Sequence, residues 1–211
     1  MRNLLLIIFS ILLLPACTNT ALRNQHSALA KADSLMHAHP DSALALLQSI
    51  SADSLTDDAN RAYHALLLSQ ALDKNYIDKT DDSLINIAVA YYAKRKLSRE
   101  YFLSLYYKGR ILRNAGEYPK AMLAYVEAEK YKDFPDNAYL VGLLYKQLGN
   151  LHYEYCDYPK SLSAYELAST YFAEASKNQH YAFCLYDIAN VYRQMLNIKA
   201  SEKMYLKAMD K

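Results

Sequence analysis

Side chains rich in hydrogen-bond donors recur along this chain at a step of forty residues: Arg110, Asn150 and Asn190. Arg113 and Arg193 repeat at twice that step. Guanidinium and amide N–H groups suit a carboxylate, and a guanidinium can grip one through two parallel bonds. The chemistry this suggests is recognition of an acidic segment, not bond-making. Covalent catalysis has no comparable candidate. The chain holds no G-x-x-x-x-G-K-[ST], no H-E-x-x-H, no G-x-S-x-G and no G-x-G-x-x-G after a strand. His37 and His39 are two residues apart beside Pro40. A helix would turn them to different faces, so they read as a solvated turn, not as metal ligands. His152 reads as a packed helix residue, and His26, His64 and His180 have no evident partner in the sequence. The expectation is a non-enzyme that uses no metal and no cofactor.

The formal net charge of +2 argues against a nucleic-acid binder that relies on bulk charge. Four Gly and five Pro are too few turn residues for a β-rich fold of 211 residues. Long segments dominated by Ala, Leu, Lys, Glu and Gln favour helix. The run Lys94-Arg95-Lys96, with Arg99, reads as a solvated turn between helices.

The N-terminus is set apart. Leu4–Leu14 is an eleven-residue apolar run behind a short basic start. At ~1.5 Å per residue it reaches about half of a ~30 Å bilayer core, which fits a cleaved export signal and not a span. Leu14-Pro15-Ala16-Cys17 resembles the lipobox of bacterial lipoproteins, with Pro15 where Ala, Ser or Thr is usual. The resemblance implies lipid, such as palmitate, on Cys17 and a chain held in the cell envelope, facing the periplasm. Ordinary cleavage near Ala16, with Cys17 incidental, is the alternative.

The helices that position the donors show in a second recurrence. Glu117–Tyr125 reads EYPKAMLAY, and Asp157–Tyr165 reads DYPKSLSAY. At the same step Tyr125, Tyr165 and Tyr205 coincide, as do Ala128, Ala168 and Ala208. Gly109, Gly149 and Ala189 are all small, and so are Ala121, Ser161 and Ser201. Tyr118, Ala121, Met122, Tyr125 and Ala128 form one face of a helix. Asp157 can cap its copy, and Pro119 and Pro159 fall in a first turn, where a missing N–H costs nothing. Gly116 ends the helix before. Each period is thus a helix, a short turn and an antiparallel helix, with small residues where the two approach.

The order Gly109, Ala121, Tyr125, Ala128, repeated as Gly149, Ser161, Tyr165, Ala168, resembles the tetratricopeptide repeat (TPR) in a long-period, roughly forty-residue bacterial lipoprotein form. The usual period is about 34 residues, so helices or loops must be longer here, with 133–140 the expected place. The resemblance implies an all-α, right-handed solenoid of antiparallel helix pairs, about ten helices after the signal. The expected organisation is a signal and lipobox at 1–17 and a degenerate helical pair at 18–60, where Asp41 is a natural cap. TPR-like repeats follow over 61–211, divided as 61–100, 101–140, 141–180 and 181–211. The array is expected to be truncated at its C-terminal end, leaving a last repeat able to self-associate.

In TPR arrays, the first helix of each pair lines a groove for partner peptides. In this register the groove residues are Tyr107, Arg110, Arg113, Lys146, Gln147, Asn150, Tyr153, Phe183, Asn190 and Arg193. The implied function is a non-enzymatic envelope lipoprotein, a scaffold or adaptor for a protein or peptide partner. That partner is expected to be acidic or to end in a free carboxylate. The alternative is the envelope-side sensor fragment of a longer signalling protein. The same register sets Cys156 and Cys184 ~15–20 Å apart, too far for a disulfide, and predicts two free, mostly buried thiols.

Overall fold

The computed structural model describes residues 24–95 and 98–210; Cys17 and the signal lie outside them. The described residues contain ten α-helices, one 3₁₀ turn and no strand. They fall into two compact units, within Met1–Leu97 and Ser98–Lys211.

The first unit holds α1 (24–35), α2 (Pro40–Ser49), a 3₁₀ turn (Ala52–Ser54), α3 (Asp58–Lys74) and α4 (Ser83–Ala93). Leu29, Met36, Leu47, Leu67 and Leu72 form its core. Helix α2 begins two residues earlier than the sequence suggests. Pro40 opens it, so Asp41 lies in the first turn and His39 takes the cap position without a side-chain bond. Proline's fixed φ is preset for a first helical residue. Asp57 caps α3 by accepting from the Asn60 amide at 2.9 Å. The histidines have partners that the sequence hides. The His26 Nδ1 lies 3.3 Å from the Asn60 Oδ1. Buried His64 donates from Nε2 to the Leu47 carbonyl at 3.0 Å. Both fill structural roles.

The second unit holds three helix pairs: α5 (Ser98–Asn114) with α6 (Tyr118–Glu129), α7 (Ala138–Glu154) with α8 (Tyr158–Glu174), and α9 (Asn178–Gln194) with α10 (Ile198–Met209). The prolines occupy the first turns of α6 and α8. Asp157 caps α8 through the Lys160 amide, and Asn197 caps α10 through the Ala200 amide. Glu117 does not cap α6; it pairs with Lys120 at 3.1 Å.

The long period is reached in two ways. Helix α6 has 12 residues and a loop follows it, whereas α8 has 17 residues and only three residues separate it from α9. Phe172 explains the longer helix: its ring is buried against Tyr139 and His180 at the start of the next repeat. In the preceding repeat Phe134 supplies such a ring from the loop, packed on Phe102 at 5.3 Å.

Small residues meet large rings where the helices of a pair touch. A β-carbon on Gly109 would lie 2.3 Å from the Tyr125 ring, and one on Gly149 would lie 2.6 Å from the Tyr165 ring. Tyr125 is fully buried and Tyr165 is 4% exposed. Ser161 donates to the Gly149 carbonyl at 2.9 Å, and Ser201 to the Ala189 carbonyl at 2.8 Å. Those bonds hold the helices at this close approach.

The backbone repeats more faithfully than the side chains. Tyr76, Gly116, Cys156 and Leu196, forty residues apart, all have positive φ, between 57° and 77°. At each, the residue's N–H and the next one bond back to the helix they end, as with Cys156 to Tyr153 and Asp157 to His152, both at 2.9 Å. This is the left-handed helix stop that glycine suits best. Ser176 is a further stop of this kind, ending α8, whereas Asp136, forty residues before it, has positive φ in the loop ahead of α7. Cys156 sits at a stop and is therefore exposed, contrary to the expectation of two buried thiols; Cys184 is buried. Burial in apolar surroundings pushes the Cys184 thiol up to about 12. In the second unit, helices that pack extensively on one another are consecutive in the chain, α5 on α6, α6 on α7, α7 on α8, and onward to α10.

Candidate functional site

The first helices of the three pairs, α5, α7 and α9, are bridged by side chains. Tyr139 pairs with His180, Lys146 with Asp187, and Tyr153 with Gln194. Each pair is 41 residues apart, so α7 and α9 run parallel and in register. Arg113 on α5 donates to the Gln147 Oε1 on α7 at 3.3 Å.

The ten residues that the sequence assigns to this row divide by environment. Tyr107 and Gln147 are buried and offer a ligand little surface. Tyr107 packs edge-on against Tyr106 at 5.1 Å, and Gln147 receives Arg113. Arg110, Arg113, Lys146, Asn150, Tyr153 and Asn190 are half-buried, and Arg193 and Phe183 are exposed, Phe183 by 50%. Asn150 and Asn190 are set identically: the Tyr165 hydroxyl donates to the Asn150 Oδ1 and the Tyr205 hydroxyl to the Asn190 Oδ1, both at 2.7 Å. With the carbonyl oxygen engaged, the donor end of each amide is the end left to meet a ligand.

The row is not a plain basic surface. The Lys146 ammonium lies 3.2 Å from Asp187 and 5.3 Å from the centre of the Phe183 ring. Burial raises the Asp187 carboxyl above its ordinary value, with Lys146 opposing the rise. The folded value exceeds the unfolded one. Holding Asp187 ionised therefore costs stability at neutral pH, and acidification removes the cost. Sequence reasoning did not reveal the pairing of Lys146 with Asp187. It also missed Tyr186, which is exposed and lies 5.3 Å from the Tyr205 ring. The Tyr–Asn bond was discoverable, because it joins residues fifteen apart in two successive periods.

Among the described residues, no group of three or more His, Cys, Asp and Glu side chains could hold a metal, and no helix is long and apolar enough to cross a membrane. No protein-family model and no curated protein matches the chain. Solved structures do. The fold is an all-α array of TPR-like helix pairs. It is similar to BtubC (BKLC) from P. vanneervenii, at a TM-score of 0.59 and 18% identity over 89% of this chain and 74% of that one. It is also similar to a kinesin light chain with nearly identical TPR-like repeats from Podosopora anserina, at a TM-score of 0.59 and 15% identity over 90% and 93%. A singly substituted form of that kinesin light chain gives 0.60 and 15% over the same shares.

Proposed function

We propose that α5, α7 and α9 form a peptide-binding groove and that the protein is a non-enzymatic adaptor of the cell envelope. The observation that carries this reading is the matched pair of amides, Asn150 and Asn190, each held by a tyrosine of its own repeat with its donor end unused by that bond. Arg110, Arg113 and Arg193 supply positive charge beside them. The ligand class is a peptide that is acidic or ends in a free carboxylate. Asp187 sets its limit, since an incoming carboxylate competes with it for Lys146.

The test is fluorescence anisotropy with acidic peptides, each with a free and an amidated C-terminus, against neutral controls. Asn150→Asp with Asn190→Asp keeps the acceptors for Tyr165 and Tyr205, removes the donors, and should weaken binding at least about tenfold. Asp187→Asn frees Lys146 and should strengthen binding of acidic peptides. Equal binding of neutral and acidic peptides would refute the carboxylate preference. Peptide binding that the paired Asn substitution leaves unchanged would refute the groove itself.

The envelope location rests on the lipobox resemblance of Leu14–Cys17. Cys17→Ala should move the protein from the membrane fraction to the soluble fraction after cell lysis. An unchanged membrane fraction would rule out lipidation at Cys17.

A further inference from the structure

The outer face of α10 carries a charge pattern complementary to itself. Lys199, Glu202, Lys203, Leu206, Lys207 and Asp210 line one shallow cleft of about 470 Å³ along this helix. All six side chains are exposed. Large apolar groups lie beside them: Leu206 is 65% exposed and Met209 83%, with Ile198 also open to solvent. At the register positions of this face on α8, Leu162 packs against the cluster of Leu185, Ile188 and Val191 on α9, whereas Ser163, Glu166, Leu167 and Thr170 are exposed. Glu202 stands at the register position of Leu162, so the α10 face differs from a plain repeat of the α8 face by a charge where α8 has a leucine.

From this pattern we propose that the α10 face binds the same face of a second copy of this chain, antiparallel, about a two-fold axis between Met204 and Tyr205. In that register Lys199 meets Asp210 of the second copy, Glu202 meets its Lys207, and Lys203 lays its alkyl stem over its Leu206. The two-fold axis repeats each contact, giving four ion pairs around two leucines. A parallel arrangement sets Lys199, Lys203 and Lys207 against themselves and is repelled. Exposed ion pairs contribute little alone, so burial of Leu206, Met209 and Ile198 supplies most of the association and the charges set the register. An isologous contact of this kind closes on itself and stops at a dimer. Lys207 already lies over the Tyr181 ring, at 5.6 Å, which fixes its stem along the edge of the face. The inference is independent of the groove, which lies on the first helices.

Sedimentation velocity on the full chain, carrying Cys17→Ala to keep it soluble, tests the proposal. The mass should rise from one chain toward two as concentration increases from low micromolar to a few hundred micromolar. Glu202→Lys and Lys207→Glu should each weaken the dimer at least about tenfold, and the two together should restore it, because the swapped pair is again of opposite sign. Leu206→Glu should abolish it. Circular dichroism verifies that each variant is folded. A chain that stays monomeric throughout overturns the proposal, and so does a dimer indifferent to the single charge reversals. A monomer that sediments with phosphatidylglycerol vesicles in a Leu206-dependent way assigns the face to lipid and overturns it equally.

Discussion

Tyr125→Ala should destabilise the α5–α6 pair by about 4 kcal/mol, within the ~3–5 kcal/mol that truncation of a core aromatic costs through lost transfer free energy and the cavity left behind. The ring is fully buried, it lies 6.1 Å from that of Tyr106, and the small residue opposite it, Gly109, has no side chain with which to fill the void. Tyr125→Phe keeps the ring and should cost far less. Urea unfolding followed by circular dichroism gives the total, and amide exchange within α5 and α6 shows where the loss falls. A cost below about 1 kcal/mol would mean that the ring is not the keystone of this contact.

The second large effect comes from the other side of the same contact. Alanine is the best helix former, and Gly→Ala inside an exposed helix gains up to ~1 kcal/mol. At Gly109 the sign should reverse. The new β-carbon would stand 2.3 Å from the Tyr125 ring, which is confined on all sides and cannot yield without moving a helix. Overpacking of this kind costs ~1–3 kcal/mol, so Gly109→Ala should be net destabilising by about 2 kcal/mol. The diagnostic is the double substitution. With Tyr125→Ala already present the space is open, and Gly109→Ala should become neutral or stabilising. That change of sign is a coupling energy that no single-residue property can mimic. Purely additive effects would show that the two residues do not meet.

Those predictions concern the part of the fold that the sequence displays openly. A tyrosine buried between two close helices demands a small residue opposite, so Gly109 with Tyr125 and Gly149 with Tyr165 announce both the helices and their pairing. The helix stops were only partly visible. Gly116 signals one, but Cys156 and Leu196 adopt the same left-handed conformation with ordinary side chains, because back-bonding of the helix end outweighs the local preference. The helix lengths were hidden as well. A ring from Phe134 in a loop and one from Phe172 in a helix play the same part in successive repeats, and composition does not distinguish them. The candidate groove was legible as a set of positions and illegible as a set of bonds. Lys146 reaches Asp187 at an offset of 41, one more than the sequence period, because it spans from one helix to the next with its own length.

The order in which helices pack has a bearing on how the chain acquires its structure. In the second unit the extensive contacts join consecutive helices, so each residue there finds its partners within a few tens of positions. Short-range contact maps of this kind go with fast folding, since little loop-closure entropy must be lost before a contact forms. They also allow assembly from one end. A chain emerging from a ribosome or a translocation pore could complete α5 on α6 before α8 has appeared, and each finished pair would then present the surface on which the next condenses. Growth would proceed by accretion, with no late strand or distant helix whose arrival all the others must await.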